Sequence, residues 1–287
     1  MGATLAASCA PPALDLTATR PAAPPQRIVA ASLFATEVLL EIAPRERIAA
    51  VHALAADPHF SLVADDVKGM KLVGAEPEQL IAGSPDLVIV DAFTRAETKA
   101  LLQWAEVPVL CPPEPRSFAD IAANIRLVGR ACHLEERAEA LASRMESRLR
   151  ELAARGAELR AFRVCSLDGD LHTYGRGSLV DATITAAGAT SLASERGAGP
   201  YRKLSVETLL AWQPSALLIA ERRNGGGGGT DDRTPPWLLQ VPGLDLLDCA
   251  AKQRFVFVPG PLLVTTSHRL VEAAARVQDQ LLQWGRP

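Results

Sequence analysis

The chain has 287 residues, which is long for a single core and typical of about two domains at roughly 150 residues each. Hydrophobic residues make up 48% of the chain and charged residues 22%, values that exclude wholesale disorder and collagen-like repeats. The net charge of -3 supplies no basic field for a phosphate backbone, so nucleic acid is not an expected partner.

Residues 1–25 come first and combine small residues with several prolines and no apolar periodicity, which predicts a disordered tether. Within it, Leu5 to Cys9 is similar to the end of a bacterial lipoprotein signal, in which small residues precede a lipidated cysteine. A signal peptide also needs a basic and an apolar region, and the residues before Cys9 do not hold both. Either translation starts upstream of Met1 and Cys9 is lipidated, or these residues are an ordinary tail.

From Arg27 onward, short β-branched runs alternate with amphipathic segments, the pattern of βα units around mainly parallel sheets. Strands are predicted at residues 27–31, 48–51, 87–90 and 108–110. Helices are predicted between them at residues 36–42, 77–82 and 95–104.

The alternation stops at Ser117, which is followed three residues later by Asp120 as in a helix capping box. Helix-favouring residues continue to about Arg155, and one helix of that length would span more than ~50 Å at ~1.5 Å per residue. We therefore expect residues 117–156 to form one long bridging helix.

After this helix the alternation resumes, with strands predicted at residues 162–167, 216–220 and 254–258 and a last helix at 268–284. The predicted fold is α/β, with two doubly wound lobes of mainly parallel sheet at residues 26–116 and 157–287. The long helix joins the lobes, and a ligand cleft lies between them.

An internal repeat supports two related lobes. Residues 78–89 recur as 207–218 at a constant offset without a gap. Each copy starts with a carboxylate, Glu78 or Glu207, at the beginning of a short helix, and a proline ends that helix before a buried strand. The alternative is chance, because helix–proline–strand connections are common in α/β proteins.

Enzyme signatures such as GxGxxG, GxxxxGK[ST], HExxH and GxSxG are absent from the sequence. The glycine run 224–229 contains no lysine and is typical of a surface loop. The spacings of the four later cysteines match no metal or redox motif, so buried free thiols are expected at Cys111, Cys132, Cys165 and Cys249.

Loops that follow the predicted strands carry aromatic side chains and polar side chains in both halves of the chain. This combination suits a large, flat, partly apolar ligand. The alternative for any one of them is a packed loop residue. The candidate ligand contacts are Phe34, Asp57, His59, Phe93, Thr94, Tyr174, Arg176 and Tyr201.

Three stretches of the sequence resemble the periplasmic substrate-binding proteins of ABC importers for vitamin B12, haem and iron-siderophores. Residues 27–37 are similar to that family's opening strand and helix, and 73–89 to its most recognisable stretch. Residues 174–189 are similar to its second-lobe signature.

The resemblance implies a non-catalytic, extracytoplasmic binding protein, acting as a monomer with no intrinsic cofactor and no resident metal. Its ligand would be a corrinoid, haem or ferric siderophore, with His59 or Tyr174 as an axial ligand of the metal. Its partner would be the permease dimer, docked through Glu78 and Glu207, and lipidated Cys9 would anchor it to the membrane.

Two alternatives stay open. One is a zinc or manganese receptor of similar architecture that uses His52, His59, His172 or His268. The other is a two-lobed cleft enzyme or redox protein with Cys165 or Cys111 as its reactive group, which requires a thiol with a lowered pKa near the cleft.

Overall fold

The computed structural model describes residues 20–221, 237 and 240–285. The predicted lipidation site Cys9 and the glycine run 224–229 lie outside the described residues. Among the helices that the structure describes, none combines the length and the apolar character needed to cross a membrane.

The two predicted lobes correspond to two separate parallel sheets. Strands of the first sheet are β1 (Ile28–Ala30), β2 (Ile48–His52), β3 (Leu72–Val73), β4 (Leu87–Ile89) and β5 (Val109–Leu110). Strands of the second are β6 (Arg163–Ser166), β8 (Thr190–Ser191), β10 (Ala216–Glu221) and β11 (Phe255–Pro259). A small antiparallel ribbon pairs β7 (His172–Thr173) with β9 (Arg202–Lys203).

Helices occupy the connections between these strands. In the first half they are α1 (Leu33–Ile42), α2 (Pro77–Ile81), α3 (Ala96–Trp104), α4 (Phe118–Cys132) and α5 (Glu135–Arg155). In the second half they are α6 (Leu179–Ala186), α7 (Leu192–Glu195), α8 (Val206–Trp212), α9 (Asp248–Ala251), α10 (Gly260–Val264) and α11 (Leu270–Trp284).

The two sheets share one strand order. The first sheet runs β5-β4-β1-β2-β3 and the second β11-β10-β6-β8, so that β4 matches β10 and β1 matches β6. The repeat fits this match, because α2 and β4 begin at residues 77 and 87, and α8 and β10 begin at 206 and 216. The internal repeat therefore marks equivalent positions in two α/β lobes of the same topology.

The prediction of one helix over residues 117–156 is wrong, because the chain folds back between α4 and α5. His133 adopts the left-handed conformation with φ 54°, and the N–H of Leu134 donates to Gly129 O at 2.8 Å, which ends α4. Gly129 also permits the turn, since a Cβ there would lie 2.3 Å from the Cβ of Ala138. The bridge is α5 alone, about 31 Å long at ~1.5 Å per residue.

The two lobes are joined through one continuous core. Alternate residues of β1 face opposite sides, so that Ile28 joins the main core cluster while Val29 joins the outer core of the first lobe. The main cluster continues through Leu152 of α5 to Val256 of β11 and Leu281 of α11. Because α5 contacts α1 on one side and α6 and α11 on the other, the lobes are fixed to a common helix.

Candidate functional site

A cavity of about 210 Å³ lies between the lobes, at the carboxyl ends of the parallel strands. Phe34, Phe60 and Phe93 line it from the segments after β1, β2 and β4, and Pro261 and Val264 line it from the segment after β11. Phe60, Phe93 and Val264 are 52%, 74% and 66% exposed, which leaves apolar surface open at the mouth of the cavity. The carboxyl edges of the two sheets therefore face one cleft, as the sequence predicts.

Glu37 is a buried carboxylate that both lines the cavity and joins the lobes. It lies on α1 and is only 2% exposed. Its Oε2 accepts a hydrogen bond from Thr265 Oγ1 of the second lobe at 2.7 Å and another from Ser267 Oγ. Burial raises the pKa of Glu37, although the two hydroxyls and Arg269 act in the opposite direction.

His52 lines the same cavity as a neutral donor. Its Nδ1 accepts the backbone N–H of Leu54 at 3.2 Å, so in the neutral ring the proton is on Nε2. Burial lowers the pKa of His52, with a smaller opposite effect from Asp91. An imidazole in this tautomer donates a hydrogen bond and has no lone pair on Nε2 for a metal.

His59 has the opposite tautomer at the same end of the lobe. Its Nδ1 lies 2.9 Å from Asp57 Oδ1, a carboxylate that accepts the ring proton and leaves the lone pair on Nε2. Hydrogen bonds from the backbone and the ring of His59 lower the pKa of Asp57. Both side chains are exposed, and neither lines the cavity, although the adjacent Phe60 does.

An aromatic cluster occupies the corresponding edge of the second sheet. Tyr201 stacks on His172 with ring centroids 4.7 Å apart, and its centroid lies 5.5 Å from that of Tyr174. The N–H of Tyr174 donates to Ser166 Oγ at the carboxyl end of β6. In the sheet β6 is two strands away from β11, so the aromatic cluster lies about 10 Å from the strand that leads into the cavity. Burial raises the pKa of Tyr174.

The structure brings only part of the predicted set together. Phe34 and Phe93 line the cavity, whereas Thr94 lies beside it with its hydroxyl and N–H on Asp91 Oδ1. Tyr174 and Tyr201 form the separate cluster, and Arg176 is exposed near them. The polar cavity residues that the sequence did not predict include Glu37, Asp91, Glu114, Asn124, Thr265 and Thr266. A glutamate among the buried apolar positions of α1 was the available signal, because buried charges need a partner.

Glu78 and Glu207 occupy the second position of equivalent helices, α2 and α8. Both side chains are exposed. Hydrogen bonding to the Ser205 hydroxyl lowers the pKa of Glu207.

The described residues lack the lowered thiol pKa and the metal-ligand cluster on which the two alternative functions depend. Burial raises the pKa of Cys165 to about 11 and also raises that of Cys111, which is opposite to what a reactive thiol needs. All four cysteines from Cys111 onward are free thiols, as expected, and three of them are buried, whereas Cys111 is half-buried. In the part of the chain that the structure describes, His, Cys, Asp and Glu side chains form no group of three that could hold a metal ion.

Comparison with known proteins identifies relatives of this architecture. A family described as "Periplasmic binding protein" matches residues 28–261. The heme-binding protein RhuT from Roseiflexus sp. RS-1 is 25% identical, with a TM-score of 0.74 over 89% of this chain and 99% of that one. The vitamin B12-binding protein BtuF of Vibrio cholerae is 18% identical, with a TM-score of 0.66 over 91% and 98%.

One curated relative also matches. It is an uncharacterized ABC transporter substrate-binding lipoprotein, YvrC of Bacillus subtilis (strain 168), 23% identical over 168 residues. The match covers 54% of this chain and 53% of the relative, so this chain spans about half the length of that protein.

Proposed function

The chain belongs to the periplasmic binding protein family, and we propose that it captures a metal complex of the corrinoid, haem or iron-siderophore class and delivers it to an ABC importer permease. The observation that carries the proposal is the cleft, in which apolar side chains from both lobes are exposed around one cavity. The names of RhuT, BtuF and YvrC support the ligand class and the transport role.

The size of the cavity supports a ligand that extends beyond it. Typical small-molecule pockets enclose roughly 300–1,000 Å³, more than the 210 Å³ of this cavity. A macrocycle would therefore rest on Phe34 and Phe93 of one lobe and reach Tyr174, Arg176 and Tyr201 across the cleft. Asp57, His59 and Thr94 complete the proposed contact set from the rim.

Of the two candidate axial ligands, His59 is the better donor to iron or cobalt. Its ring is oriented by Asp57 with the free lone pair on Nε2, as is usual for metal-bound histidine. Tyr174 would have to lose its proton, and burial raises its pKa. His52 has the wrong tautomer and provides a matched control.

Absorbance titration with haemin and with aquocobalamin tests the proposal, because a nitrogen ligand that replaces metal-bound water shifts the visible bands. We expect a shift at micromolar protein that His59→Ala abolishes and that His52→Ala retains. Loss in Tyr174→Phe alone would instead assign the metal to the tyrosine. The absence of any spectral change or binding for haemin, aquocobalamin and a ferric siderophore would refute the proposed function.

Docking and anchoring belong to the same proposal. Exposed Glu78 and Glu207 on equivalent helices suit a two-fold permease dimer that carries cations. With the importer in proteoliposomes, the double variant Glu78→Ala/Glu207→Ala should lose stimulation of ATP hydrolysis, whereas exposed Glu97→Ala should not.

Lipidation of Cys9 would hold the protein at the membrane as a monomer, and intact mass measurement of protein from its own host would reveal the lipid.

A further inference from the structure

The polar wall of the cleft cavity is acidic. Glu37, Asp91 and Glu114 line it, and no lysine or arginine does so among the residues that the structure describes. A site that binds an anionic group needs the opposite arrangement, because carboxylates in a partly desolvated cavity repel one another and any added negative charge.

Glu37 has an oxygen that the protein leaves unused. Both hydroxyls from the second lobe bind Oε2, and Oε1 has no hydrogen-bond partner within the described ranges. The residue is only 2% exposed and lines the cavity. Because Glu37 lines the cavity and Oε1 accepts from no protein donor there, a hydrogen-bond donor of a bound molecule would stabilise the carboxylate.

The neighbouring polar groups do not supply that donor. Asp91 uses Oδ1 to accept from Thr94, and Oδ2 has no described partner. Asn124 donates its amide to Pro113 O at 2.8 Å. The cavity thus presents free carboxylate oxygens, and its donors among the described lining residues are neutral groups, the His52 imidazole and the hydroxyls of Ser32 and Thr266.

From this arrangement we infer that the cavity binds a hydrogen-bond-donating or cationic substituent of the ligand, with Glu37 Oε1 as the principal acceptor and Asp91 and Glu114 as support. The inference rests on the proposed function and narrows its ligand class. It selects neutral or cationic complexes that carry amide or ammonium groups over complexes that would place carboxylates in the cavity.

Three metal complexes serve as probes, because they differ in whether their substituents are cationic, amide or anionic. Ferrioxamine B carries an ammonium group, aquocobalamin carries peripheral amides and a positive charge, and haemin carries two carboxylates. Their affinities are measured by calorimetry with the wild-type protein and with Glu37→Gln, in which an oxygen still accepts from Thr265 and Ser267 while an amide replaces Oε1. Glu114→Gln is the second variant, because the exposed position tolerates it, and Glu97→Gln on α3 is the control.

We expect Glu37→Gln to weaken the amide or ammonium probe by at least tenfold and Glu114→Gln by about threefold, with haemin unchanged or tighter in both. Equal weakening of haemin, or no change for any probe that binds, would overturn the inference. Binding of haemin alone would also overturn it while leaving the proposed function intact. Failure of all three probes to bind would refute both.

Discussion

His268 is a buried imidazole at the contact between the lobes, and its replacement by glutamine should flatten the acid side of the stability profile. Its side chain is 13% exposed, and Nδ1 is buried without a hydrogen-bond partner. Burial is the main cause that lowers the pKa of His268 to about 4, and Arg269 and Arg144 add to it. Glu41 Oε1 lies 3.9 Å from Nε2, too far for a hydrogen bond, and does not reverse the shift.

The magnitude follows from proton linkage. In the unfolded chain a histidine has a pKa of about 6.5, so between about pH 6.5 and 4 the unfolded state binds the proton and the folded state does not. The contribution of neutral His268 to the unfolding free energy is therefore fully present above about pH 6.5 and is lost as the pH falls towards 4. From the folded value of about 4, the loss from this one residue is about 2 kcal/mol at pH 5 and about 3 kcal/mol at pH 4.

Urea unfolding of the wild type and of His268→Gln at half-unit steps from pH 7.5 to 4 measures this loss. The difference in unfolding free energy between the two proteins should change by about 3 kcal/mol over the range, with glutamine favoured at low pH. Other groups, including Glu37 with its raised pKa, titrate in both proteins and cancel in the difference. A difference that stays constant within about 0.5 kcal/mol would refute the buried neutral histidine.

Two further predictions concern backbone packing and thiol reactivity. Gly188 has φ 93° and an added Cβ would lie 2.4 Å from Gly156 O, so Gly188→Ala should lower the unfolding free energy by roughly 2–4 kcal/mol. Gly197→Ala has a similar φ but open space, and a loss above about 1–2 kcal/mol there in urea unfolding would contradict the clash argument. In the folded protein Cys132, Cys165 and Cys249 should resist iodoacetamide at pH 7.5 and react once unfolded in urea, because they are buried and burial raises the pKa of Cys165 to about 11 and those of Cys132 and Cys249 to about 12. Mass-detected labelling of any of these three thiols in the folded protein would show that burial does not control their reactivity.

The helix predicted over residues 117–156 shows that local sequence signals predict where a helix begins but not where tertiary contacts interrupt it. Its N-cap is confirmed, since Ser117 Oγ accepts the N–H of Asp120 at 3.2 Å. Its break at His133 carries neither glycine nor proline at the left-handed position, so propensity alone favours a continuing helix. Packing between α4 and α5 favours the turn instead, because Ile125 and Leu141 are buried in the same core cluster, and Arg126 adds exposed ion pairs with Glu139 at 2.7 Å and with Glu146 at 3.0 Å.

Some residues of the candidate site could also be predicted from the sequence, whereas others could be identified only from the structure. Phe34 and Phe93 could be predicted because each follows a strand whose carboxyl end faces the cleft. Thr265 could not be assigned from its own surroundings, because its partner Glu37 is 228 residues away in the chain. Whether His52 or His59 can bind a metal depends on which hydrogen bond orients each ring, and that information is not in the residue type.

By itself the sequence determined the α/β class, the two related lobes and the edge at which the cleft opens, because apolar periodicity and a gapless repeat are local properties of the chain. The tertiary structure decided where the bridging helix begins, which tautomer each histidine adopts and which carboxylate faces the cavity. These depend on contacts between residues far apart in the chain, where burial and hydrogen bonding outweigh local preference.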